Sequence, residues 1–409
     1  MRSRPGGRRP RRRPRHRARP GSRSPAPAIL RWSLRVEPVP APARPVQSAV
    51  SATVGASASP PGETGPIGPP RSPEHRRETR STPVLGTWRL FPPPRVGSAP
   101  PGSSPAEPEE EHVGSTAHRT AYLARLGLPE APPPTLAGLR AVHRAHVARI
   151  PYDNLSTMLG RPDPVDPAAG VVRAAGGTRI GYCFQQNGAF EWLLSELGFS
   201  VSRRHGHVWS RPEDELGTAL NHLVLVVSDL PAEDNPGGHW WVDAGLGEGF
   251  AEPLPIVRGE HVVDGWSFGI GAGYGAQAAG RPTGPAAWTY RHLPGGVLRG
   301  IVVTSRDHSP TTIADSHHTL SGSAQSPFRR VVVAQRIDGP AQRTVRGLVH
   351  QVLTPTGREQ QDLTSYDDWR AALVDDLLLP VDDVTEGEWR SLWERTTTSH
   401  RAWDEAGRP

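Results

Sequence analysis

Apolar positions first reach helical spacing near residue 116, where Tyr122, Leu123 and Leu126 share a face before Gly127 and Pro129 end the segment. A second, amphipathic helix follows directly. Thr135 stands where a cap is needed, and Leu136, Leu139, His143, Val147 and Ile150 recur at steps of three and four until Pro151, flanked by Val142 and His146. Asp166 and Pro167 have the character of a cap and first position for a short helix that Gly176 and Gly177 stop. Phe190, Leu193, Leu194 and Leu197 predict another helix over 184–197, closed by Gly198, which leaves Cys183 at a helix N-terminus.

After Gly198 the pattern shortens. Strands are expected over 201–209, 222–227, 239–242, 262–268 and 297–303, with Gly and Pro between them, as in a twisted barrel or sandwich. The last hundred residues mix strands over 329–335 and 347–353 with helices over 366–378 and 386–396, and no internal repeat is present. Residues 1–115, by contrast, are Pro, Arg, Ser and Gly with no period of 2 or 3.6, the pattern of a disordered tail that buries no core. A second reading of the tail is that it is not made, because a valine codon near Val113 would start translation just ahead of ordered sequence. The organisation expected is a tail over 1–115, a helical domain over 116–200, a β-barrel domain over 201–308 and a mixed α/β domain over 309–400.

Charge separates the tail from the body. The formal net charge of the whole chain is +6, yet the first hundred residues hold 20 Arg against 4 Glu, so the remainder carries 27 Arg against 37 acidic residues. The body is therefore acidic and is not expected to bind nucleic acid, and the Arg8 to Arg19 cluster lacks interleaved aromatic residues for stacking on bases. All basic residues are Arg, as GC-rich codons would produce. One Cys in 409 residues excludes an internal disulfide framework and fits a reducing, cytoplasmic compartment. No apolar run approaches the roughly 20 residues of a membrane helix.

The same count makes Cys183 the only available thiol nucleophile. Isolated cysteines are most often small buried hydrophobes, but the partial positive charge of a helix N-terminus favours the thiolate, the species that attacks acyl carbons. Gly181 precedes the sulfur by two residues, where a substrate must approach the backbone closely. His222 opens the run HLVLVV, and Asp243 ends HWWVD just before the turn AGLG. Position alone suits a core-edge histidine. If the two strands are neighbours, however, Asp243 can hold His222 in the tautomer that accepts the thiol proton. Other constellations are weaker. His205 with His207, and His317 with His318, lack the Cys or carboxylate that metal spacing needs, so no metal is expected. The glycines over 269–278 lack the strand and helix of a phosphate cradle, and the twelve Trp read mainly as core.

In order and spacing, GYCF around Cys183, a strand histidine at His222 and WVDAGLG after it resemble the arylamine N-acetyltransferase family, whose pattern runs roughly RGGYCFE, His, VDVGFG. AYLARLGL, IPYDNL and HHTLSGSAQSPF followed by VVVAQR extend the likeness over about residues 118–400. The resemblance implies an α+β fold with a papain-like cysteine-transferase core, in which Cys183 is the acylated nucleophile, His222 its base and Asp243 the residue that orients His222. It also implies acetyl coenzyme A as co-substrate, an arylamine or hydrazine as acceptor, no tightly bound cofactor, and Tyr182, Phe184, Gly245 and Gly247 beside the substrates. Ile180 stands where the family has Gly, Gln185 where it has Glu and Leu246 where it has Phe. Alternative functions are an amide synthase taking acyl groups from a carrier protein, a papain- or transglutaminase-like hydrolase, and a non-catalytic binder.

Overall fold

The computed structural model describes residues 36–37, 109–215, 221–272, 287–292, 296–304 and 309–408. The tail expected over 1–115 lies outside the described residues except for strand β1 (Val36–Glu37) and the start of helix α1 (Glu109–Arg125). The described residues from Ala117 onward belong to one compact unit.

Five helices lead to the nucleophile's position. After α1, α2 (Leu136–Arg149) starts at Thr135, whose side chain accepts the Gly138 N–H as the sequence suggests. Strand β2 (Tyr152–Asp153), α3 (Leu155–Met158) and α4 (Pro167–Ala175) follow, the last capped by Asp166. Helix α5 (Cys183–Glu196) then buries Phe190, Leu193 and Leu194 against α1, α2 and the first strands of an eight-stranded sheet.

That sheet contains β3 (Ser200–Trp209), β4 (His222–Ser228), β5 (Trp240–Val242), β6 (Leu254–Pro255), β7 (Gly259–Val263), β8 (Trp266–Ala272), β9 (Trp288–Arg291) and β10 (Gly300–Thr304). Its order, β6-β5-β4-β3-β10-β9-β8-β7, makes a barrel-like surface from antiparallel neighbours. Strand β4 is buried on both faces, Leu225 and Val227 toward the helices and Val224 and Val226 toward the barrel interior. A strand covered on both faces is apolar without alternation, which accounts for the run HLVLVV. Burying each such side chain contributes about 1.5–3 kcal/mol, so the strand that carries His222 is among the firmest in the molecule.

The expected strand over 262–268 is instead a hairpin. Asp264 and Gly265 both have positive φ, 50° and 83°, and turn β7 back onto β8; Asp-Gly is a strong signal for such a turn. The glycine-rich stretch over 269–278 continues β8 to Ala272, and its remainder lies outside the described residues.

The third part begins with α6 (Pro310–Gly322) and α7 (Pro327–Arg330), then β11 (Val333–Asp338), β12 (Ala341–Arg346), β13 (Val349–Thr354) and β14 (Gly357–Asp362), and closes with α8 (Tyr366–Ala371) and α9 (Glu386–Glu405). The strand expected from residue 329 starts later because Ser326, accepting from Phe328 N, caps a helical turn through Arg330. The four strands form a meander, extended at one edge by β1 and at the other by β2, where Gln335 pairs with Tyr152. One face packs Ala334 and Val345 against Trp369, Trp389 and Leu392. The opposite face carries Gln335, Gln342 and Thr344, and Gln342 Nε2 donates to Gly249 O at 2.8 Å. This polar face meets the glycine turn that follows Asp243. The architecture is α+β: a helical layer, a barrel-like sheet, and a second antiparallel sheet backed by helices.

Candidate active site

Cys183 is the first residue of α5, after Gly181 at φ 114° and Tyr182 in extended backbone. Gly181 is required there, because left-handed φ strains any residue with a Cβ. The Gly181 carbonyl accepts from Asp153 N at 3.1 Å and Gln186 Nε2 at 3.2 Å, tying the turn to β2 and to α5 itself. The buried Cys183 packs with Tyr182, Phe184, Leu223 and Ile313, and its thiol donates to Asn221 O at 3.7 Å.

His222 opens β4 where Asn221 has locked the entry to β3, its side chain accepting Val208 N at 2.7 Å and donating to Val208 O at 2.8 Å. His222 Nε2 donates to Asp243 Oδ2 at 2.7 Å, and both Asp243 and the Cys183 side chain act on the charge of its ring. Burial alone would disfavour the imidazolium. The Asp243 charge and hydrogen bond, with a smaller contribution from Cys183, overcome it and raise the His222 pKa to about 10.

Asp243 is held by four donors. Oδ2 also accepts Trp241 Nε1 at 3.2 Å, while Oδ1 accepts Asn187 Nδ2 at 2.8 Å and Gly245 N at 3.1 Å. Asn187 lies one turn beyond Cys183 on α5, donates to Leu223 O at 2.6 Å and accepts Ala244 N at 2.9 Å. Its amide thus joins the nucleophile's helix, β4 and the glycine turn. His143, on α2, accepts Asp243 N through Nε2 at 3.1 Å and donates through Nδ1 to Ala251 O at 3.1 Å, roles that only the neutral ring can fill. Burial lowers its pKa accordingly.

The structure brings Cys183, His222 and Asp243 together as the sequence order suggests. Tyr182 and Phe184 flank the sulfur; the Tyr182 hydroxyl pairs with His317 Nδ1 at 2.7 Å, and its ring packs on His317 and Phe328. Gly245 and Gly247 serve close packing. A Cβ on Gly245 would sit 2.5 Å from Cys183 Cα, and one on Gly247, at φ 79°, 2.1 Å from Gln335 Oε1. Of the variant positions, Ile180 joins the helical core, Leu246 the barrel core, and Gln185 Nε2 donates to Asp163 O at 3.0 Å. His207 Nε2 hydrogen-bonds to Asp214 O at 2.7 Å, and no cluster of three or more metal-ligating side chains occurs among the described residues.

His143, Asn187 and Asn221 carry no isolated sequence signal as site residues. His143 fits the apolar stripe of α2, and only the i, i+4 spacing of Asn187 from Cys183 hints at a shared face.

A family model described as N-acetyltransferase matches residues 135–266, which include Cys183, His222 and Asp243. That segment is similar in sequence to arylamine N-acetyltransferases. The N-acetyltransferase segment is 39% identical over 141 residues to the arylamine N-acetyltransferase of Mycolicibacterium smegmatis, covering 34% of this chain and 50% of that protein. The Escherichia coli arylamine N-acetyltransferase is 35% identical over 137 residues, covering 33% of this chain and 46% of that protein. The chain thus spans about half the length of the curated relatives it matches. In fold the likeness reaches further: the structure of the arylamine N-acetyltransferase from Mycobacterium abscessus superposes with a TM-score of 0.59 at 24% identity, over 71% of this chain and 99% of that one.

Proposed function

We propose that this chain is an acyltransferase that moves an acetyl group from acetyl coenzyme A to an arylamine or hydrazine through a thioester on Cys183. The observation that carries the reading is His222, one residue beyond the Asn221 carbonyl that the Cys183 thiol contacts, bonded to a buried Asp243 held by four hydrogen-bond donors. A nucleophile, a base and an oriented carboxylate in that order form the minimal set for acyl transfer.

In the first half-reaction the Cys183 thiolate, whose proton rests on His222, attacks the thioester carbonyl, and the coenzyme A thiolate leaves with that proton from His222. In the second half the amine attacks the Cys183 thioester, His222 removes its extra proton, and the amide departs as the thiol is restored. Backbone N–H groups in the first turn of α5 have no helical partners and are suited to the transient oxyanion. Acetyl coenzyme A is a co-substrate in this scheme, and no resident cofactor is needed. The Mycobacterium marinum arylamine N-acetyltransferase has a structure in complex with CoA, with a fold similar to this one at a TM-score of 0.57 and 23% identity. A cytoplasmic setting, where an unpaired thiol stays reduced, completes the proposal.

Intact mass of the wild type and Cys183→Ala, each mixed with acetyl coenzyme A and no acceptor, tests it. Wild type alone gains one acetyl group and loses it when an arylamine is added. No adduct on either protein would overturn the acetyl-donor assignment.

A further inference from the structure

A file of buried polar side chains crosses the helical core and ends on the backbone beside the sulfur. Tyr122 of α1, His146 of α2 and Gln186 of α5 are each fully buried. The Tyr122 hydroxyl meets His146 Nδ1 at 3.1 Å, and His146 Nε2 meets Gln186 Oε1 at 2.8 Å. Gln186 Nε2 then donates to Pro151 O at 2.8 Å and to Gly181 O at 3.2 Å.

Each proton in this file has one place to be. The Gln186 amide nitrogen faces two carbonyls, so its oxygen accepts from His146, and His146 Nε2 carries a hydrogen. Burial keeps the ring neutral, taking its pKa down to about 3, so Nδ1 is bare and accepts the Tyr122 hydroxyl. Polar side chains are unfavourable in a core unless other polar groups there require them. Here the end of the file shows what is held. Gln186 grips both peptides that lead into Cys183: its side chain donates to Gly181 O, and its backbone N–H donates to Tyr182 O at 2.9 Å. Peptide units are planar, so fixing those two carbonyls also aims the Tyr182 and Cys183 N–H groups, which point the opposite way. The Cys183 N–H stands in the first helical turn, where it has no helical partner and is free to meet an oxyanion.

The same two helices brace the other end of the site. His143, three residues before His146 on α2, accepts Asp243 N, and Asn187, next after Gln186 on α5, donates to Asp243 Oδ1. The Phe190 ring packs against both histidines, 5.8 Å from His143 and 4.8 Å from His146 between centroids. One face of α2 therefore sets the nucleophile's turn against the carboxylate. We propose that His146 and Gln186 are positioning residues for acyl transfer: His146 fixes the Gln186 amide, which holds the turn over 181–183 so that its N–H groups meet the oxyanion. The inference rests on the reading of Cys183 as the acylated nucleophile and adds to it the residues that aim the backbone around the sulfur.

The test uses the full chain as wild type, Gln186→Met, His146→Leu and His146→Gln, well below the melting temperature of each. Two reactions of the same sulfur are followed by intact mass. Acylation by 4-nitrophenyl acetate passes through a tetrahedral oxyanion before 4-nitrophenolate leaves, whereas alkylation by iodoacetamide displaces iodide directly and forms no oxyanion. Both need the thiolate and an open path to it, so their ratio isolates the stabilisation of the oxyanion. Gln186→Met keeps the length of the side chain but loses the amide, and should lower the ratio of acylation to alkylation by about ten- to a hundredfold. His146→Leu should lower it too, and His146→Gln, which can still present an N–H to Gln186, should recover part of that loss. A wild-type ratio in both Gln186→Met and His146→Leu would overturn the inference, leaving the file as a support of the fold alone. Wild type acylated by the ester but not by acetyl coenzyme A would overturn the acetyl-donor reading without touching this one; wild type acylated by neither would overturn both.

Discussion

His143 Nε2 accepts the backbone N–H of Asp243 at 3.1 Å, so a helix one hundred residues upstream fixes the carboxylate that holds His222. The ring is stacked on Phe250 at 5.7 Å and donates to Ala251 O, leaving it little freedom to turn. His143→Phe would fill the space but orphan a buried donor and a buried acceptor, at a cost of about 1–3 kcal/mol for each. The expected result is a lower melting temperature together with slower Cys183 acetylation. A variant that melts earlier yet acetylates at the wild-type rate would show that the contact supports the fold but not the geometry of Asp243.

Stability should be greatest near pH 6.5 and fall on both sides. On the acid side burial lowers the pKa of His143 and takes His146 to about 3, whereas unfolded histidine titrates near 6.5. The unfolded chain therefore binds more protons below about pH 6.5, and each such histidine removes up to about 1.4 kcal/mol per pH unit. Asp153, raised to about 6 chiefly by burial, opposes this until the unfolded carboxyl also protonates near pH 4, after which the loss steepens. On the alkaline side His222, with its pKa near 10, contributes stability that is complete below about 6.5 and is lost as pH rises toward 10. Denaturant melts from pH 4 to 10 check the dome; a flat profile above pH 7 would contradict the coupling of His222 to Asp243.

Cys183, His222 and Asp243 were legible in the sequence because each sits where an element begins or ends: before an amphipathic helix, at the head of an apolar run, and ahead of a glycine turn. Their supports were not. His143 belongs by periodicity to the buried face of α2, and nothing local distinguishes a histidine that packs from one that also holds a distant backbone. Strands β12 and β14, AQRTVR and GREQQD, are too polar to announce themselves, since one face of their sheet carries Gln and Thr toward the barrel.

Gly245→Ala should disrupt the site more than its size suggests. The added methyl would stand 2.5 Å from Cys183 Cα and 3.0 Å from Cys183 O, and backbone cannot swing aside as a flexible side chain can. The turn must lift from α5, weakening the 3.1 Å bond from Gly245 N to Asp243 Oδ1. Overpacking of this kind costs about 1–3 kcal/mol, and displacing a reacting group by ~1 Å can cost a hundredfold in rate. Thermal melting and the acetylation rate from acetyl coenzyme A measure the two effects. An unchanged rate would mean that the turn does not set the position of Asp243.

Gln185→Glu, which restores the family's residue, should destabilise this chain. The Gln185 amide donates through Nε2 to Asp163 O at 3.0 Å from a buried position beside Gly181, while Oε1 finds no hydrogen-bond partner among the described residues. A carboxylate there has no proton to donate, so it would face the Asp163 carbonyl and lose the one bond the side chain makes. It would also bring negative charge to a buried position. The variant must either bury an unpaired charge or take up a proton, and a loss of about 1–3 kcal/mol is expected from the orphaned acceptors alone. Because protonation restores a donor, the deficit should shrink as pH falls from 8 to 5. Denaturant melts of wild type and variant at both pH values decide it, and a deficit that does not change with pH would place the new carboxyl in solvent, away from Asp163.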